Sequence, residues 1–178
     1  TYGELNQLAG ALQRHWLKNG ASRGMSRGHG LTAGDRVVVI AKPSPALYAV
    51  VLSLLASGLA AVFIDTGMGK TKIRQALQDA DAKAIVSMKS LLKLRWLIPE
   101  LRKISSWCID GAGLFLRALP MTVRPDDKLQ LMIPPEHDHG LISFTSGSTG
   151  RPKGADRTHK SLDQQPFAIR HHWQDKHG

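Results

Sequence analysis

The sequence predicts an α/β fold, a mostly parallel sheet flanked by helices, and three observations lead there. Short runs at Arg36 to Ala41, Leu59 to Ile64 and Ala84 to Ser87 are almost continuously apolar, the pattern of strands covered on both faces. Helix-compatible stretches, Ala46 to Ser57 and Lys72 to Ala80, lie between them. Strand, helix, strand, helix, strand at this spacing is the order of right-handed βαβ units.

Before the first strand, Thr1 and Glu4 form a capping-box pair, and Leu5, Leu8, Ala9, Leu12 and Trp16 recur on one helical face. This predicts an opening amphipathic helix that ends near Asn19 and Gly20. Residues 20–30 are rich in Gly, Ser and Arg without apolar periodicity and read as a flexible surface loop. Gly34 and Asp35 then turn the chain into the first strand. Pro43 and Pro45 break it, and Gly58 stops the helix that follows. Further on, Ser90 to Trp96 and Glu100 to Ile104 read as short basic helices separated by Pro99, with loops at Gly111 and Gly113 and at Pro134 and Pro135.

The chain has 178 residues, a formal net charge of +10, 42% hydrophobic and 21% charged residues. That is the usage of one ordinary globular domain and excludes wholesale disorder. The single cysteine, Cys108, excludes an intrachain disulfide or a multi-thiolate zinc site and points to a reduced, cytoplasmic setting. Excess cations attract polyanions, but at 6% aromatic residues are too sparse for a base-stacking platform, so no nucleic-acid partner is expected. Thr1 leads straight into a polar amphipathic segment, so no signal peptide is expected. Ala46 to Ile64 is uncharged and reaches spanning length, yet Ser53, Ser57 and Gly58 divide it into a helix-like and a β-rich piece, so no transmembrane segment is expected either.

The segment with the most chemical content is residues 141–154, LISFTSGSTGRPKG. An apolar strand, Leu141 to Phe144, runs directly into Thr145, Ser146, Gly147, Ser148, Thr149 and Gly150, six small residues. Such a loop lets backbone N–H groups approach an anion, and its hydroxyls add donors for phosphate oxygens. Lys153 supplies a point positive charge, and Pro152 stiffens the approach. A polyphosphate is the natural guest. The spacing is not that of G-x-x-x-x-G-K-[ST], because Arg151 and Pro152 intervene before Lys153 and Gly154 follows it.

From Ile142 to Lys153 this segment resembles the phosphate-loop signature of adenylate-forming enzymes, a superfamily of acyl-CoA synthetases, peptide-synthetase adenylation domains and luciferases. Thr1-Tyr2-Gly3-Glu4-Leu5 is similar to the family's T-Y-x-E-L, Gly34-Asp35-Arg36-Val37 to its G-D-R-V, and Ala56-Ser57-Gly58 to its A-x-G. Asp65-Thr66-Gly67-Met68-Gly69 resembles the D-P-G-M-G of a fatty-acid-activating branch that includes the β-lactone synthetases, and His159 sits where the family has T-H at a helix start. The resemblance implies that residues 1–178 are a single, incomplete AMP-binding N-terminal domain. It implies ATP-dependent activation of a carboxylic acid: the carboxylate attacks the α-phosphate, pyrophosphate leaves, and the acyl-adenylate passes to a thiol or an internal hydroxyl. Thr145 to Gly150 with Lys153 would hold the β and γ phosphates. The family's acidic ligand for Mg2+, its ribose aspartate, its adenine-stacking aromatic and its mobile lysine would lie beyond Gly178, so the expectation is a phosphate grip that does not catalyse adenylation alone. Asp156 stands where the family has an apolar residue, and a carboxylate facing bound phosphates would repel them.

Two other readings use other residues. Gly67 to Thr71, with Gly69-Lys70-Thr71 between a strand and a helix, is similar to helicase motif I and would make a nucleic-acid-dependent ATPase. Against it, Ile64 replaces a small residue and no D-E-x-[DH] box follows. A non-catalytic interaction fragment completed by another chain is the third class, because unpaired strand edges favour association. His137-Asp138-His139 and His171-His172 with His177 lack the i,i+4 helical placement of a preorganised metal site, and Cys108 beside Trp107 reads as a small apolar core residue.

Overall fold

In the computed structural model the residues described are 1–17, 31–88, 92–93, 98–102, 104–108, 122–132, 138–146 and 150–164. The loop expected at 20–30, most of the helix expected at Ser90 to Trp96, and Gly111, Gly113, Pro134 and Pro135 lie outside these residues. In chain order the elements are α1 (Tyr2–Leu17), β1 (Arg36–Ile40), α2 (Pro45–Ala56), β2 (Ala60–Ile64), α3 (Lys70–Ala80), β3 (Ala84–Ser87), α4 (Pro99–Arg102), β4 (Ser105–Cys108), β5 (His139–Thr145) and β6 (Lys153–Thr158). A last helical stretch, α5, covers 159–164.

The six strands form one sheet in the order β4-β3-β1-β2-β5-β6. Neighbours are parallel from β4 through β5, and only β6 runs antiparallel, against β5. Alternation along the pleat divides the core in two. Val37, Val39, Ala61, Ala84 and Val86 pack under α1 and α2, whereas Val38, Ile40, Val62, Ile85, Ile142 and Phe144 pack under α3 and α4. Helices therefore cover both faces, which is why the first three strands carry no polar stripe.

Local signals fix most boundaries. The Ser44 hydroxyl accepts from the Leu47 N–H at 3.2 Å and Pro45 opens α2. Gly58, at φ 70°, reverses the chain after Ser57, and the Leu59 N–H donates to the Leu54 carbonyl at 3.0 Å. The uncharged stretch from Ala46 is thus a buried helix, a turn and a buried strand, and no helix among the described residues is long and apolar enough to cross a membrane. Two strands went unforeseen, β4 and β6. Pro99 opens α4, where its fixed φ suits the first helical position.

α1 also serves as a template for the distant segment 122–132. The Gln13 amide donates to the Gln130 carbonyl at 2.5 Å and accepts from the Gln130 N–H at 2.8 Å. Arg14 grips Asp127 bidentately, Nε to Oδ1 at 2.9 Å and Nη2 to Oδ2 at 2.7 Å, while the Arg124 N–H donates to Oδ2 at 2.7 Å. The Arg14 guanidinium, outweighing burial, holds the Asp127 carboxyl below the usual carboxylate range. Because the unfolded chain binds the proton more readily, this contribution is complete above about pH 4 and disappears as pH falls through the lowered folded value. Urea midpoints measured between pH 3 and 6 should fall less steeply with acid in Asp127→Asn than in the parent; parallel curves would refute the assignment. Asp35 contributes in the same window, since hydrogen bonds from Lys83 and Thr32 outweigh its burial and lower its pKa, so part of the acid sensitivity should survive.

Candidate functional site

β5 lies between β2 and β6, and its parallel register with β2 sets Ile64 beside Phe144. The chain therefore leaves β5 at the same sheet edge where it leaves β2, the carboxyl edge at which open α/β sheets place ligands. Here the Asp65 N–H donates to the Phe144 carbonyl at 3.3 Å. Thr145 ends β5 and Lys153 opens β6, and the two residues are paired across the antiparallel ladder. By the pleat, they share the face of Leu141 and Ser143, opposite to Phe144.

Of the sequence-predicted loop, Thr145, Ser146 and Gly150 are described, and Gly147, Ser148 and Thr149 lie outside the described residues. Gly150 adopts φ 85°, a conformation that L side chains rarely take, and a Cβ there would meet nothing within 4 Å. Pro152 is buried and Lys153 is exposed. At Gly154 a Cβ would stand 3.2 Å from Cε1 of Phe144, so the residue after Lys153 lies close against the strand that feeds the loop.

Two cations make contacts at the ends of the loop. Lys72 Nζ on α3 donates to the Ser146 carbonyl at 3.0 Å, and Arg151 Nη2 donates to Asp79 Oδ1 at 3.2 Å. Asp156, a concern on sequence grounds, is paired across from Ile142, three positions down β6 from Lys153, and its carboxylate meets the His139 ring at that distance from the loop. His159 stands at the far end of β6 and opens α5 as expected, with Thr158 as cap through a 3.2 Å bond from the Ser161 N–H. The length of β6 puts it about 17 Å or more along the strand from Lys153. Burial pushes the His159 ring down in pKa against Asp138 and the Leu59 carbonyl, and its buried Nε2 has no hydrogen-bond partner among the described residues.

The helicase-like stretch has a different local structure from a phosphate cradle. Asp65 Oδ1 accepts from the Gly67 N–H at 2.8 Å, Thr66–Met68 form a single 3-10 turn, and Met68 is buried. One backbone donor is thus already taken by a carboxylate. Among the described residues no group of three His, Cys, Asp or Glu side chains is placed to hold a metal ion. His137, His171, His172 and His177 lie outside the described residues, and so do the Trp107 and Cys108 side chains. Sequence reasoning missed Lys72 and Asp79, which the packing of α3 brings to Ser146 and Arg151 at the two ends of the loop.

Comparison with known proteins agrees with this architecture. Residues 1–177 match the AMP-binding enzyme family. The chain is 32% identical over 162 residues to surfactin synthase subunit 1 of Bacillus subtilis, covering 91% of this chain and 4% of that protein. It is 30% identical over 146 residues to the olefin beta-lactone synthetase of Stenotrophomonas maltophilia, covering 75% of this chain and 25% of that protein. Among solved structures, ATP-bound MatB from Rhodopseudomonas palustris superposes with a TM-score of 0.75 at 21% identity, over 97% of this chain and 32% of that one. The chain therefore spans a quarter or less of these curated relatives. With a family model matched along nearly its whole length, the chain belongs to the AMP-binding enzyme family.

Proposed function

We propose that residues 1–178 form the opening part of an adenylation domain, in which Thr145, Ser146, Gly147, Ser148, Thr149, Gly150 and Lys153 hold the β and γ phosphates of ATP. The observation that carries this reading is the pairing of Thr145 with Lys153 at the carboxyl edge of the sheet, which keeps a cation beside the small-residue loop. In the reaction a carboxylate oxygen bonds to the α-phosphorus and the bond to the pyrophosphate oxygen breaks. Negative charge then grows on the leaving pyrophosphate. A fixed ammonium and backbone donors stabilise that charge without having to reorganise, an effect worth about 3 kcal/mol for one well-aimed donor in other systems. Among the described residues no group of three His, Cys, Asp or Glu side chains is placed to hold a metal ion, and no step here is assigned to Mg2+.

The resemblance at Asp65 to Gly69 and the olefin beta-lactone synthetase relatives support a fatty acid as the carboxylate, and a reduced cytoplasmic setting suits the single cysteine. These residues by themselves are proposed to bind phosphate without completing adenylation. No observation favours the nucleic-acid reading of Gly67 to Thr71.

Amide exchange tests the phosphate grip. Inorganic pyrophosphate or ATP should slow exchange in the peptide spanning residues 141–155, and Lys153→Ala should weaken that protection, shifting the midpoint by about tenfold. Equal protection in both proteins would remove the assignment. Sedimentation of the same samples over a range of concentrations reports whether the chain associates.

A further inference from the structure

Two contacts join α3 to the loop at both of its ends. Lys72 reaches Ser146, where the chain leaves β5, and Asp79 reaches Arg151, two residues before β6 begins. Lys72 and Asp79 are seven positions apart, two turns of helix, so they lie on the same side of α3. The same helix buries Ala76, Leu77 and Ala80 in the core cluster that also holds Ile142 and Phe144 of β5. Lys72 is half-buried while its neighbours Lys70 and Arg74 are exposed. The stem of Lys72 packs against the surface while its ammonium reaches the Ser146 carbonyl at an exposed site.

Resting on the phosphate-binding reading above, we propose that α3 braces the phosphate loop and that Lys72 is its positioning residue, holding the Ser146 carbonyl toward α3. A carbonyl captured by Lys72 is therefore held toward α3 and is not free to turn its negative end to an anion on the other side of the loop. The arrangement also places positive charge on both sides of the sheet edge. Lys72 arrives from the α3 face, and Lys153 projects on the face of Thr145 and Leu141. Arg151, paired with Asp79, adds a second contact from the same helix where the chain returns to β6.

The brace and the phosphate grip are tested separately on the same 178-residue chain. In the absence of any anion, Lys72→Met should speed amide exchange in the peptide spanning residues 141–155, Asp79→Asn should do so more weakly, and Lys72→Arg should leave it near the parent value. Unchanged exchange in Lys72→Met overturns the brace whether or not the protein binds phosphate. Titration with inorganic pyrophosphate should then show affinity about tenfold weaker in Lys72→Met, rescued in Lys72→Arg, with the thermal unfolding midpoint held within a few degrees. Equal affinity in Lys72→Met and the parent refutes the positioning role. A parent protein that ignores pyrophosphate refutes the phosphate-binding reading instead, and the anion-free exchange still decides on the brace.

Discussion

Gly10→Val should unseat segment 122–132 from α1 and destabilise the fold by about 3 kcal/mol, the upper part of the usual range for overpacking. A Cβ at Gly10 would stand 2.5 Å from the Lys128 carbonyl carbon, 2.7 Å from its nitrogen and 2.7 Å from its oxygen. These are backbone atoms, and no rotamer change can move them aside. The neighbouring Gln13–Gln130 and Arg14–Asp127 contacts hold the segment at that approach, so relief requires α1 or the segment to shift and loosen those bonds. Gly10→Ala supplies the sign test. Helix propensity alone would make it more stable by about 1 kcal/mol, so an increase in the urea midpoint would show that the close approach does not exist in solution. A decrease, with faster exchange confined to residues 122–132, is the expected result.

Trp16→Ala should cost about 3–5 kcal/mol, a large part of the stability of any domain this size. Trp16 is fully buried, and its Nε1 donates to the Ser53 hydroxyl at 2.8 Å, which in turn donates to the Val50 carbonyl at 2.7 Å. The indole thus joins α1 to α2 through both area and a directed bond. Removing it leaves a cavity among Leu12, Leu54 and the strand residues of that core, which close-packed neighbours fill only in part. Trp16→Phe retains most of the apolar volume and loses the hydrogen bond, so it should fall between the parent and Trp16→Ala in a denaturant titration followed by circular dichroism. A loss below about 1 kcal/mol for Trp16→Ala would mean that α1 is not docked on α2 as described.

The sequence was informative where burial dictates composition. β1, β2 and β3 are covered on both faces, and their apolar runs, together with the helices between them, stand out without any knowledge of partners. β6 could not be read in this way. Its residues, Lys-Gly-Ala-Asp-Arg-Thr, are exposed from Lys153 to Arg157, and what makes them a strand is pairing with β5, a tertiary condition that no periodicity encodes. The anchoring of 122–132 was invisible for a related reason. Its contacts use glutamines, Arg14, Asp127 and a glycine across more than a hundred residues, with little apolar signal. At the candidate site the small residues and Lys153 were legible because a loop that admits an anion must lack bulk. Lys72 and Asp79 were not, since a lysine on a basic helix gives no sign of which carbonyl it will reach some seventy residues away.

The antiparallel return of β6 has a mechanical consequence. A loop tethered on one side swings like a flap, but here both feet stand on one hydrogen-bonded ladder, Thr145 on β5 and Lys153 on β6. The span between those feet is a sheet spacing, about 5 Å, and it stays constant while the ladder holds. Any tilt of the outer two strands therefore carries the lysine and the loop's first hydroxyl together as one rigid footing.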